Sequence, residues 1–207
     1  MRVAALSIVC LMFLGCSSNK VDNFKNDLGS SAKVYNVSNI SSLSAVPLSS
    51  SPIKGALTEQ DALIAIDGNK TAFDLYSFKG EVGAHILTMR TFCDCFGFNK
   101  DLLLPDVRII DSGNSVIVAS LMSKQKVQPL LGAFYFEFTW VFDTTSTDPV
   151  KVVIGSNNQK LGDVATTVDG VGAVGVPSGN STYYTGFTIE GLSVRSAPYG
   201  KYEVFAE

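Results

Sequence analysis

Between residues 134 and 142 an aromatic side chain stands at every second position. Phe134, Phe136, Phe138, Trp140 and Phe142 form this row, and Tyr135, Glu137, Thr139 and Val141 occupy the alternate places. Successive side chains of an extended chain point to opposite faces, so a period of two describes a strand with one buried side. A row of aromatics on one strand face reads as core; a cofactor-stacking stripe is the alternative it displaces.

The same alternation recurs from Asp61 onward. It appears in Val107 and Ile109 against Asp106 and Arg108, in Val150, Val152 and Ile154, and in Tyr202 and Val204. Further strands are expected over Ala62 to Ile66, Thr71 to Phe78, Ala84 to Phe92, Ser115 to Leu121 and Tyr183 to Ile189. Turn chemistry separates them at Asp67-Gly68-Asn69, Lys79-Gly80, Asp111-Ser112-Gly113-Asn114 and Tyr199-Gly200. Helical periodicity is nearly absent, the best stretch being Gln159 to Thr166. The expected fold is all-β: a single antiparallel β-sandwich, jelly-roll-like, of about nine strands over residues 61–207.

The amino terminus has a different composition. Met1-Arg2 is followed by twelve apolar or small residues from Val3 to Leu14 and by Gly15-Cys16. This is the layout of a secretory signal over residues 1–15, too short to span a bilayer. Phe13-Leu14-Gly15-Cys16 resembles the lipobox of bacterial lipoproteins, with Phe13 where that family usually has Leu. The resemblance implies a lipid-modified Cys16, with diacylglycerol on the thiol and an acyl chain such as palmitate on the new amine. A single chain binds a membrane only marginally, at about 0.8 kcal/mol per buried methylene, whereas several hold stably. Ser17, in place of the Asp that resembles an inner-membrane retention signal, favours the outer membrane on its periplasmic side.

Residues 16–60 then read as a tether. Eleven serines occur between Ser17 and Gln60, with Pro47, Pro52 and Gly55. If flexible, such a stretch spans about 35 Å root-mean-square. Val34 to Val37 and Val46-Pro47-Leu48 are candidate edge strands within it, where proline is tolerated. Removing Arg2 leaves 15 basic against 19 acidic residues. That weakly acidic balance, with no cluster of Lys and Arg, argues against nucleic acid as a partner.

Little in the body suggests chemistry. His85 is the only histidine, so any Ser-His-Asp or Cys-His scheme must pass through it. At the head of an expected strand, it reads instead as a residue of the domain surface or the core margin. Cys93 and Cys95 with His85 give three nominal zinc ligands, whereas structural zinc wants four and a wider cysteine spacing, so no metal site is expected. In an oxidising periplasm Cys93 and Cys95 form a candidate disulfide. A regular strand holds such neighbours over 6 Å apart while bridged β-carbons need about 3.5–4.5 Å, so a clasp requires the chain to end its strand or bulge at Phe96-Gly97-Phe98. Buried free thiols and redox exchange are the other readings.

Gly170-Val171-Gly172-Ala173-Val174-Gly175 matches a dinucleotide fingerprint in letters alone. Val176-Pro177-Ser178-Gly179 follows and would stop the required helix, so a flexible surface loop is expected and no cofactor. Asp101, Asp106 and Asp111 are weak candidates for paired carboxylates, and Asp143 to Asp148 lacks the ligand density of a calcium loop. Tyr183, Tyr184 and Tyr199 are candidate ligand contacts, able to stack on sugar rings, although tyrosines near strand ends are more often lids of the core.

Several segments, taken in order, resemble the maltose operon periplasmic protein family. These are Leu43 to Leu48, Gly68-Asn69-Lys70-Thr71-Ala72-Phe73 leading into Leu75-Tyr76-Ser77-Phe78, and His85-Ile86-Leu87-Thr88-Met89-Arg90-Thr91. Leu104-Pro105-Asp106-Val107-Arg108-Ile109-Ile110-Asp111, Lys151-Val152-Val153-Ile154 with Lys160-Leu161-Gly162, and Ser196-Ala197-Pro198-Tyr199-Gly200 complete the match. The chain departs from that pattern at Cys93 to Phe98 and in its short carboxyl end. The resemblance implies a non-catalytic accessory protein of carbohydrate transport, associated with maltodextrin uptake and with a maltodextrin or a sugar porin as partner. It carries over no catalytic residue. The alternative is a structural or adhesive cell-envelope lipoprotein that binds a protein partner and no sugar.

Overall fold

A computed structural model of the chain describes Val21, Phe24 and residues 34–207, apart from residues 41, 67, 94–99, 129–133 and 179–180; for 69 and for the strand residues within 168–190 it describes the backbone alone. Among the described residues the fold is all-β, with fifteen strands in three sheets. The largest sheet runs β1 (Val34–Asn36), β4 (Leu63–Ile66), β5 (Asn69–Phe78), β12 (Val150–Ser156), β8 (Pro105–Ile110) and β9 (Val116–Ile117), with β2 (Val46–Pro47) joined to β5. A second runs β10 (Ser120–Val127), β11 (Tyr135–Thr144), β6 (Gly83–Phe92), β15 (Gly200–Ala206) and β3 (Ile53–Leu57). The third joins β13 (Val164–Ser178), β14 (Ser181–Ala197) and β7 (Asp101–Leu103). Pairing is antiparallel except between β1 and β4, β2 and β5, and β14 and β7.

The aromatic row along β11, beginning one residue before it at Phe134, explains how the first two sheets meet. Phe134, Phe136, Phe138, Trp140 and Phe142 are all buried, and they share one cluster with Tyr76 and Phe78 of β5, Val107 and Ile109 of β8, and Val152 and Ile154 of β12. Fully burying one such side chain stabilises the fold by about 1.5–3 kcal/mol, which makes this strand face a principal source of cohesion. The opposite face of β11 is half-buried and polar, with Glu137 bonded to Arg90 of the neighbouring β6 at 2.8 Å.

The largest sheet is buried on both faces. Val153, Phe73, Ile64, Ile66 and Ile110 form a second cluster on the far side of the main core, closed by Ile40 of the one-turn helix α1 (Val37–Ile40). This double burial explains why β12 reads Val-Lys-Val-Val-Ile rather than alternating strictly. Lys151 still reaches out, its ammonium donating to the Leu43 carbonyl at 3.2 Å.

Within the serine-rich stretch to Gln60 the candidate edge segments form strands as β1 (Val34–Asn36) and β2 (Val46–Pro47), β3 (Ile53–Leu57) adds a third, and Phe24 is buried. β3 was not legible because its hydrogen bonds come from a distant partner, β15, through pairs such as Gly55 with Tyr202. Two other expectations need correction. The strand expected from Ser115 to Leu121 is two strands, β9 and β10, in different sheets. The glycine run at 170–175 is not a loop but part of β13, paired with β14 from Gly170 opposite Ile189 to Ser178 opposite Ser181. Glycine disfavours strands locally, but a partner rich in β-branched and aromatic residues overrides that preference.

The edge strand β10 is protected by its own charges. Lys124 and Lys126 lie opposite Phe138 and Phe136 in register, and so share the face of the aromatic row. The Lys124 ammonium stands 5.0 Å from the Phe136 ring centre and that of Lys126 5.1 Å from Phe134. Burial pushes the Lys124 pKa down. Both lysines are exposed, and charges on an edge strand oppose pairing with another chain.

Candidate functional site

The chain turns away from β3 at Leu57, ends β6 at Phe92, starts β7 at Asp101 and starts β15 at Gly200. These four strand ends surround a cleft of about 630 Å³, within the usual range of small-molecule sites. Its apolar walls come from Leu57, Phe92 and Tyr199, and its polar groups from Glu59, Gln60, Asp101 and Lys201. An aromatic wall beside carboxylates, an amide and an ammonium suits a ligand with both apolar faces and hydroxyls.

Local sequence shapes each wall. The Asp61 carboxylate accepts hydrogen bonds from the Thr58 amide and, at 3.0 Å, from its hydroxyl. The Thr58 hydroxyl also accepts from the Gln60 amide at 3.3 Å. This cross-bonded turn sets the direction of Glu59 and Gln60. Tyr199 packs edge-on against the buried Phe24 with ring centres 5.3 Å apart. Gly200 lets β15 approach β7, since a β-carbon there would sit 3.0 Å from that of Leu103.

Of the tyrosines singled out from sequence, Tyr199 reaches this cleft. Tyr183 and Tyr184 belong to β14 opposite Val176 and Gly175, and their side chains lie outside the described residues. From Tyr184 to the end of β14 at Ala197 the strand runs about 40 Å at its usual rise, so the three tyrosines do not converge. Cys93 is buried, lines the cleft and is disulfide-bonded. Cys95 and Cys16 lie outside the described residues.

His85 occupies the core margin. Its Nε2 lies 2.8 Å from the Glu81 carbonyl and 3.0 Å from the Thr144 hydroxyl. A carbonyl can only accept, so Nε2 carries the proton. The ring packs edge-on to Phe78 at 4.9 Å, and a β-carbon on Gly80 would come within 2.5 Å of it. The three aspartates weighed as paired carboxylates lie apart in role. Asp101 lines the cleft, Asp106 pairs with Arg108 at 3.2 Å, and Asp111 accepts the Ser115 amide at 2.7 Å to close a turn. Among the described residues no three His, Cys, Asp or Glu side chains gather as metal ligands, and no helix is long and apolar enough to cross a membrane.

A polar chain escaped the sequence reading. Tyr202 donates to the Asp74 carboxylate, and its oxygen lies 2.8 Å from the Tyr76 hydroxyl. Because the carboxylate takes the Tyr202 proton, Tyr76 donates to Tyr202. Burial raises the pKa of Asp74, against the lowering effect of the Tyr202 hydrogen bond, and the Asp61 charge raises it further. Burial likewise raises Tyr76 and Tyr202. Asp61 thus links this chain to the cleft wall it shapes through Thr58. The available signal was Asp74 itself, a carboxylate in step with Tyr76 and Phe78 on a core-facing register. No protein-family model, curated protein or solved structure matches the chain.

Proposed function

We propose that the chain is a lipoprotein held through acylated Cys16 at the outer membrane, facing the periplasm, and that its body binds a carbohydrate of the maltodextrin class without catalysing a reaction. The body is read as one jelly-roll-like β-sandwich, supported by the single core shared between the seven- and five-stranded sheets. The observation that carries the ligand reading is the cleft in which Tyr199 and Phe92 stand beside Glu59, Gln60, Asp101 and Lys201. Sugar rings present C–H faces to aromatic walls and hydroxyls to carboxylates and amides, the combination this cleft offers. The resemblance to the maltose operon family supports the choice of sugar. Cys95 is the proposed partner of the bonded Cys93, because on this reading Cys10 is removed with the signal and the Cys16 thiol is acylated.

Calorimetric titration with maltotriose and maltoheptaose tests the reading. Binding should saturate, and Tyr199→Ala or Asp101→Ala should weaken it by about tenfold, equivalent to roughly 1.4 kcal/mol. Absence of heat with both sugars, or an unchanged affinity in both variants, would remove the cleft from consideration. A second reading, an adhesive or structural envelope lipoprotein, draws on exposed apolar side chains in the β9–β10 link and at the start of β10: Val118 is 81% and Met122 67% accessible. Crosslinking through residue 118 in intact envelopes should then recover a protein partner, and finding none counts against it.

A further inference from the structure

We propose that the outer part of the β13–β14 hairpin enters a lipid bilayer and that copies of the chain pair there, hairpin edge to hairpin edge, in a closed barrel. From Gly170 to Ile189 the chain carries no Asp, Glu, Lys, Arg or His, and Asp169 and Glu190 bracket the stretch. With 17% of all residues charged, twenty residues would ordinarily include about three. An uncharged segment flanked in sequence by acidic residues matches the charge profile of hydrocarbon bounded by a polar interface.

The backbone dimensions agree. The pairs from Gly170 opposite Ile189 to Ser178 opposite Ser181 form a continuous antiparallel ladder. At about 3.3 Å per residue this ladder is roughly 30 Å long, near the nine to eleven residues of a membrane-crossing strand. Composition alternates along the register as well. One set of pairs joins Gly170 with Ile189, Gly172 with Phe187, Val174 with Thr185 and Val176 with Tyr183. The intervening set joins Val171 with Thr188, Ala173 with Gly186, Gly175 with Tyr184 and Pro177 with Thr182. The first set holds Val174, Val176, Tyr183, Phe187 and Ile189, and the second two of the three threonines with Ala173, Gly175 and Gly186 beside Val171, Pro177 and Tyr184, a bias toward the two-sided division of a barrel strand between lipid and lumen.

The occupant follows from the hydrogen bonds. β7 joins β14 only at Arg195–Ala197, so among the described residues no third strand pairs with the ladder beyond Gly170. Lipid cannot satisfy the two backbone edges that no described strand pairs, whereas a ring of identical hairpins satisfies all of them. The guarded edge at β10, with Lys124 and Lys126, shows the opposite arrangement in the same molecule. This inference is independent of the sugar-binding reading, because the hairpin and the cleft are lined by different residues.

The test uses the complete acylated protein reconstituted in phosphatidylethanolamine–phosphatidylglycerol vesicles loaded with carboxyfluorescein. Wild type should release the dye, and the double variant Val174→Asp/Phe187→Asp should slow release by at least about tenfold, charge at mid-bilayer being strongly disfavoured. Near-ultraviolet circular dichroism and the maltodextrin titration should be the same for both proteins, which separates this inference from the cleft. A spin label on Val174→Cys should be quenched by oxygen more than by a water-soluble nickel complex. Vesicles that stay sealed with wild type, equal release by the double variant, or a label quenched mainly by nickel would each overturn the proposal.

Discussion

Tyr202 of β15 donates its phenolic proton to Asp74 of β5, joining the two sheets by a hydrogen bond between residues 128 positions apart. The bond lies among buried apolar side chains, where a donor or acceptor left alone is costly. Tyr202→Phe should therefore destabilise the protein by about 1–3 kcal/mol, read as a lower midpoint in urea unfolding. An unchanged midpoint would show that water replaces the lost donor.

The same pair fixes two pH dependences. Burial raises Asp74 above its ordinary value of 3.8. The folded state therefore holds that proton more tightly than the unfolded one, and the stability this contributes below pH 3.8 is lost as pH rises through the elevated pKa. Asp74→Asn, which cannot ionise, should gain stability relative to wild type as pH rises above about 4. Tyr202 is raised above 10.0 by burial and by the Asp74 charge, so its stabilising contribution fades as pH climbs past 10. Tyr202→Phe should flatten that alkaline loss. Urea midpoints at several pH values measure both.

Gly55 is required by the Tyr202 ring. A β-carbon at that position would lie 2.4 Å from the phenolic carbon. Gly55→Ala should cost about 1–3 kcal/mol by overpacking, and most of the loss should disappear in a Tyr202→Ala background. Additive losses in the double variant would separate the two sites.

On the exposed side of the same sheet, Arg90 bonds Glu137 at 2.8 Å, with the two side chains 31% and 28% accessible. Solvent screens such a pair, so Glu137→Gln should cost no more than about 1 kcal/mol and less in high salt. Arg90→Ala should cost more, because the guanidinium also lies 5.2 Å from the Phe205 ring and 5.8 Å from that of Tyr135. Thermal unfolding at low and high salt distinguishes the electrostatic share from the packing share.

Lys124→Val/Lys126→Val should leave the fold intact and promote association. Without these charges, β10 presents an apolar edge strand. Light scattering at rising protein concentration should show oligomers in the double variant and none under the same conditions in wild type.

Period-two patterning and turn residues made β4, β5, β6, β8, β11, β12 and β15 legible, because each buries apolar side chains at every second position on at least one face. The row from Phe134 to Phe142 needed no tertiary information to be read as buried. Tyr199 was also visible as an aromatic at a strand end. The cleft around it was not, since Leu57, Phe92, Asp101 and Gly200 meet only once their strands are ordered. The β13 pairing was hidden by its glycines, whose local preference opposes the strand that a distant partner stabilises.

The division has a physical cause. Alternation along one chain states which side chains leave water, and from it came the all-β class and the aromatic core face, while Gly, Asn and Asp between the strands marked most turns. It does not state which strand supplies the hydrogen bonds on either side. Strand order, the meeting of Asp74 with Tyr202 and the cleft at four strand ends arise from pairings across the whole chain, chosen by the joint burial of faces that no single segment can close.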